Sequence, residues 1–227
     1  MLKIYILQLT YAFFNQLYQL VFPAYCFCCK QFCTINTYGL CNACSLQIAP
    51  VATIDIVITK NISVTVFAAS FYQDPVKMLI LAKQYQQMHA CKAIGELIWA
   101  KTDTRFQEFD LIVPIPLHWT RYAKRGYNQA EEIAHVLGNK MHIPVVNLLK
   151  RTKATAFQAT LSKDARSFNV ADVFALAKEE YKNIYKNKRI LLVDDLLTTG
   201  STISSASKIL LELKPTILKA AVGARVQ

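Results

Sequence analysis

Asp194 and Asp195 stand side by side after four aliphatic residues, Ile190-Leu191-Leu192-Val193, and the chain continues as Leu196-Leu197-Thr198-Thr199-Gly200-Ser201-Thr202. An unbroken aliphatic run is the pattern of a strand buried on both faces. The acids and the loop then fall at the strand's carboxyl end, where open α/β sheets bind ligands. Gly200 lets the backbone approach an anion, the N–H groups of Thr199 to Thr202 point outward at a helix start, and the hydroxyls add donors. Two carboxylates beside a bare phosphate would repel it. They suit a ligand that also carries ribose hydroxyls and magnesium, because carboxylates accept hydrogen bonds from the former and magnesium prefers oxygen ligands. A ribose 5-phosphate with a metal-bound diphosphate, as in phosphoribosyl diphosphate (PRPP), meets these demands. Asp194 and Asp195 are the catalytic candidates, and Thr198, Thr199, Gly200, Ser201 and Thr202 the phosphate-binding ones. A capped strand-to-helix turn accounts for one acid and one hydroxyl only. The Gly-x4-Gly-Lys spacing of an ATPase loop is missing.

Six of the seven cysteines lie between residues 26 and 44. Cys26-x2-Cys29 and Cys41-x2-Cys44 are two pairs that together supply a tetrahedral set of four thiolates for structural zinc. Cys28 and Cys33 leave Cys28-x4-Cys33 open as an alternative ligand pair. Such a ribbon is too short to bury a core, so the metal would staple it. Cys91 reads as a core residue.

The 26 basic and 15 acidic side chains give a formal net charge of +11, which favours anionic partners without choosing among them. From Trp119 to Arg166 nine cations face three acids. Arginine and lysine clamps there would stabilise the charge that a leaving diphosphate develops, and Arg125 and Arg166 are the preferred clamps because guanidinium binds phosphate bidentately. The same charge, with Tyr122 and Tyr127, also suits single-stranded DNA. No charge lies between Lys3 and Lys30. Gln8, Thr10, Asn15, Gln16 and Gln19 interrupt the apolar run, so residues 1–25 read as an amphipathic docking helix, with peripheral membrane contact left open, in a cytoplasmic protein.

Positioning these groups requires strands and helices in alternation. The patterns predict strands over Ser63 to Tyr72, Phe109 to Val113, Val145-Val146, Arg189 to Val193 and Ile217 to Val222. Helices are expected over Val76 to Lys83, Ile94 to Thr102, Asn128 to Met141 and Ser201 to Leu213, with a mobile excursion from Arg151 to Arg166. Alternation of this kind implies a parallel α/β sheet flanked by helices. Residues 1–50 are read as helix and ribbon, and residues 51–227 as the main domain.

The Asp/Thr loop resembles the PRPP motif of the type I phosphoribosyltransferases. Taken with the Cys-rich start, Pro114-Ile115-Pro116, Arg125-Gly126-Tyr127-Asn128-Gln129, Arg151, Gln158, Arg166, Asn169 and Phe174, the chain resembles the ComF (competence protein F) family over nearly its whole length. That resemblance implies a type I phosphoribosyltransferase fold with a small four-cysteine zinc ribbon at the N-terminus. It also implies a diphosphate loop at Pro114 to Leu117, a lid within Arg151 to Arg166 and a site lysine at Lys83. A link to DNA uptake in natural transformation follows, with single-stranded DNA and competence or recombination proteins as partners. The family's glycine after the second cysteine is Lys30 here. The acceptor of a phosphoribosyl group is not legible.

Overall fold

The computed structural model describes residues 25–32, 39–82, 88–117, 119–152 and 173–227, with Arg121 and Lys124 described by backbone alone. Five strands form the main sheet: β1 (Ile54–Thr59), β2 (Ile62–Phe71), β3 (Leu111–Pro114), β6 (Arg189–Leu197) and β7 (Ile217–Arg225), in the order β1-β2-β7-β6-β3. The pairs β2–β7, β7–β6 and β6–β3 are parallel, as the alternation of strands and helices predicts. β1 departs from that expectation. It pairs antiparallel with β2, because Lys60 and Asn61 alone join the two, and so short a link permits no crossover.

Aliphatic alternation along the central strands divides the interior into two layers. Leu191 and Val193 pack with α2 (Val76–Ala82), α3 (Met88–Lys101) and α5 (Gln129–Met141), while Ile190 and Leu192 pack with α7 (Ser201–Leu210) on the other face. A small hairpin of β4 (Leu149–Arg151) and β5 (Phe174–Leu176) joins the second layer, beside the short α6 (Tyr181–Ile184). The cysteine segment, with its short helix α1 (Asn42–Leu46), is seated on the first layer: Cys26, Leu40, Cys44 and Ile48 are buried in the same cluster as Val76 and Ile94. Cys91 is fully buried there, as its sequence context predicts.

Several boundaries differ from the sequence expectation for backbone reasons. α3 begins at Met88 rather than near Ile94. The expected strand at Val145-Val146 is a single bridge to Ile112, held by Ile112 N–H to Pro144 O and Val146 N–H to Ile112 O at 2.9 Å each. The last helix ends at Leu210 and tightens into a 3-10 turn over Leu211–Leu213. Residues 1–24, and the excursion beyond Thr152 as far as residue 172, lie outside the described residues. Among those described, no helix is long and apolar enough to cross a membrane.

The amino end of β6 is tied down by charge. The Asp110 carboxylate accepts from Arg189 N–H at 2.7 Å and from Arg189 Nη2 at 2.9 Å, and Arg189 Nη1 also reaches Glu108. Hydrogen bonds from Arg189 hold the Asp110 carboxyl below the usual aspartate range. A depressed folded-state pKa contributes stability that is present above about pH 4 and is lost as pH falls through the folded value. Asp110→Asn is therefore expected to lower the unfolding midpoint at neutral pH, and the gap to wild type should close toward pH 3. A gap of equal size at both pH values would show that the charge does not matter here.

Candidate functional site

β6 does not stop where its side chains turn polar. Asp194 pairs with Val222, Leu196 with Ala224 and Leu197 with Arg225, so both acids lie inside the strand rather than after it. β7 likewise runs three residues past its expected end, to Arg225. Both carboxylates are half-buried, and Asp194 Oδ1 accepts from the Asp195 N–H at 2.8 Å. This bond fixes the first carboxylate against the backbone.

Thr198 and Thr199 follow, exposed, and Gly200 opens α7 with φ of +79°. That conformation strains any residue with a Cβ. A Cβ would also meet Ile56 Cδ1 of β1 at 2.9 Å, so the antiparallel edge strand presses against this loop. Gly200, at the cap position, has no side chain to cap α7, so the N–H groups of its first turn face the loop. Thr199 Oγ1 donates to Ser201 Oγ at 3.1 Å and accepts from Ser201 N–H at 3.5 Å. Thr202 is half-buried one residue on. The structure thus brings together seven predicted residues: the two acids and the five of the loop.

A second element reaches the same end of the sheet. After β3, Ile115 N–H donates to Val193 O at 2.9 Å, which sets the segment Ile115 to Leu117 beside the first acid. The short α4 (Trp119–Arg125) follows, with Trp119 72% and Tyr122 49% exposed. Arg125 is half-buried at its last turn, and Asn128 caps α5 by accepting from Ala130 N–H at 3.3 Å. Asn128 Nδ2 also donates to Ile115 O at 3.0 Å, tying α5 to the loop after β3. Tyr127 is 8% exposed, with its phenol pushed up to about 12 by burial and by Cys91. It is a core residue, which corrects its reading as a DNA contact. Lys83 and Arg166 lie outside the described residues.

Sequence reasoning missed Arg225. It stands opposite Leu197 at the carboxyl end of β7, its guanidinium 4.9 Å over the Phe71 ring. The available signal was a cation closing an aliphatic strand.

Cys26, Cys29, Cys41 and Cys44 form the second candidate site. Their four sulfurs lie within 4.8 Å of one another and could hold a metal ion. A tetrahedral ion about 2.3 Å from each sulfur needs sulfurs about 3.8 Å apart, and Cys29 Sγ to Cys41 Sγ measures 3.8 Å. Backbone donors already face the sulfurs: Cys41 N–H reaches Cys26 Sγ at 3.4 Å and Cys44 N–H reaches Cys41 Sγ at 3.5 Å. Burial opposes the Cys26 thiolate, yet N–H groups of Cys41, Cys29 and Cys28 outweigh it and hold its pKa down to about 6. Burial and the neighbouring sulfurs push Cys44 up instead. Cys28 is half-buried outside the set of four, its thiol raised by burial, and Cys33 lies outside the described residues.

Residues 82–226 match the phosphoribosyl transferase domain family model. Over 149 residues the chain is 35% identical to Competence protein F of Haemophilus influenzae, covering 63% of this chain and 64% of that protein. Over 117 residues it is 32% identical to DNA utilization protein YhgH of Escherichia coli K12, covering 51% of this chain and 49% of that one. The matched stretches thus span less than two thirds of these relatives' lengths. Among solved structures, an adenine phosphoribosyltransferase from Thermoanaerobacter pseudethanolicus aligns with 81% of this chain and 98% of its own at 14% identity, with a TM-score of 0.40.

Lys30, immediately after the first cysteine pair, is exposed and has φ of +60°. The left-handed turn expected of a glycine is kept with a lysine in it, at a cost of about 1 kcal/mol. Lys30→Gly is expected to raise the stability of the metal-loaded protein by about 0.5–1 kcal/mol in thermal or denaturant unfolding, because no packed side chain is lost. A loss of stability would mean that the lysine side chain holds the turn.

Proposed function

We propose, for a chain that belongs to the phosphoribosyl transferase domain family and to its ComF branch, that the carboxyl end of β6 binds PRPP with magnesium and supports transfer or hydrolysis of the phosphoribosyl group. One observation carries this reading: two carboxylates inside the strand lead, through Leu196 to Thr199, into a left-handed Gly200 that opens a helix without a capping side chain of its own. Asp194 and Asp195 would accept from the ribose hydroxyls. The N–H groups and hydroxyls of Thr198 to Thr202 would hold the 5′-phosphate. Magnesium, when bound with the diphosphate, neutralises part of its charge. Arg125, at the last turn of α4, is proposed as a diphosphate clamp, and Arg166 and Lys83 are proposed for the same role from sequence. In transfer, the bond from ribose C1 to the diphosphate oxygen breaks, the diphosphate leaves with the electron pair, and an acceptor lone pair or water closes on C1 as its proton departs.

The cysteine set is proposed to hold structural zinc, with residues 1–50 as the ribbon segment and 51–227 as the phosphoribosyltransferase-like domain. The names of the relatives, a competence protein and a DNA utilization protein, support a role in DNA uptake; a cytoplasmic location and competence or recombination proteins as partners are proposed from the sequence resemblance. A second reading, a non-catalytic module for single-stranded DNA, is favoured by exposed Trp119 and Tyr122 one turn apart on α4, whose sequence carries Arg121, Lys124 and Arg125. The two readings differ in salt and metal dependence. DNA held this way weakens steeply with ionic strength and survives neutralisation of Asp194, whereas PRPP binding requires magnesium and the acids.

Calorimetric titration is expected to show magnesium-dependent PRPP binding to the wild type, weakened about 100-fold or more in Asp194→Asn/Asp195→Asn, where hydrogen bonds to two charged acceptors are lost. A folded wild type that binds no PRPP overturns the proposal.

For the metal, elemental analysis of purified protein is expected to give one zinc per chain. Cys44→Ser should lose it and unfold at lower temperature, while Cys28→Ser should keep it. Zinc retained by Cys44→Ser but lost from Cys28→Ser would move the site to the alternative ligands.

A further inference from the structure

Gln129 opens α5 and is 3% exposed, yet its side-chain Nε2 is buried with no hydrogen-bond partner among the described residues. Its neighbour Asn128 makes the contrast plain. That amide donates to Ile115 O and accepts from Ala130 N–H, so one of two adjacent amides is satisfied and the other is not. Buried amide donors in native proteins nearly always find a partner, and each exception calls for a cause.

The position of this donor supplies one. α5 follows β3 through the segment that begins at Ile115, so its first turn is level with the carboxyl ends of β3 and β6. Two hydrogen bonds measure how near it is: Asn128 Nδ2 to Ile115 O, then Ile115 N–H to Val193 O, the residue before Asp194. The opposite flank of the site repeats the pattern, since Arg225 Nε, opposite Leu197, is also buried without a hydrogen-bond acceptor among the described residues. Buried donors left unmet on both flanks of a loop rich in donors suit an acceptor-rich ligand, which a sugar phosphate is.

We infer that Gln129 is a ligand-contacting residue, whose Nε2–H donates to an oxygen of the phosphoribosyl ligand and is satisfied only when that ligand is bound. The inference rests on the proposed PRPP site. Its role is positioning: the neutral amide adds direction to the hold on an anion without adding charge. Glu131 and Glu132, in the same first helical turn, make a purely electrostatic grip at this corner unfavourable.

A buried orphan donor and a buried structural donor respond oppositely to an apolar substitute of similar shape. Gln129→Met in full-length, zinc-loaded protein should leave the unfolding midpoint without ligand unchanged or raised, because it removes an unmet polar group. It should weaken magnesium–PRPP binding about 10- to 100-fold, the range for loss of one hydrogen bond to a charged acceptor. Wild-type affinity in this variant overturns the inference while leaving the PRPP site intact, and a lowered midpoint overturns it in favour of a structural amide. No PRPP binding by the wild type overturns the parent reading and this one with it. A measurement on the wild type alone covers a variant that does not fold. The Gln129 side-chain 15N–1H signals, assigned through the residue's own backbone, should shift on adding PRPP with magnesium and not with magnesium alone. Unmoved signals in ligand-saturated protein overturn the inference.

Discussion

The parallel ladder that joins β6 to its neighbours is the constraint from which the rest of the molecule follows. β6 pairs with β7 from Arg189 to Leu197 and with β3 from Ile190 to Val193, so its backbone hydrogen bonds are spent on both sides along its aliphatic half. With register fixed, alternate aliphatics are assigned to one layer or the other, and a shift of a single residue would exchange the two cores. The Arg189–Asp110 pair anchors the strand at one end. At the other the ladder continues past Val193 to Leu197, which is why two carboxylates are held on a rigid strand rather than on a loop.

The cysteine segment depends on the same scaffold. Cys26 and Cys44 are buried in the layer formed by α2, α3 and α5, so two of the four sulfurs are set by hydrophobic packing and the other two by short turns. Backbone N–H groups aimed at sulfur favour the thiolate that a metal requires, at the cost of one strained residue, Lys30.

What the sequence revealed was whatever leaves a local trace. The aliphatic run at Ile190 to Val193, the spacing of the cysteines and the Thr/Gly/Ser loop were all readable, and the structure assembles the acids with the loop and the four sulfurs with one another. Hidden features were those decided by a neighbour. The end of β6 is set by β7, not by its own polarity. The strand over Ile54–Thr59 alternates well, but its antiparallel pairing with β2 and its contact with Gly200 are tertiary facts. Tyr127 looked like a surface aromatic in a basic stretch and is buried beside Cys91, because the turn at Gly126 reverses the chain just before it. Arg225 drew no attention because a single cation after an apolar strand is common.

The single amide of Asn128 that holds Ile115 O has an evolutionary consequence. It closes a staple across the base of residues 116–127, so the stem of that excursion is secured whatever its tip contains. Within the tip, α4 leaves its large aromatic side chains in solvent. The exposed positions Trp119 and Tyr122 can be exchanged without disturbing the strand ends below, whereas buried Tyr127 and the proposed clamp Arg125 cannot. The outer face of the excursion is thus a replaceable surface on a constant socket, a place where one ancestral scaffold can acquire new partners while the residues at its base stay fixed.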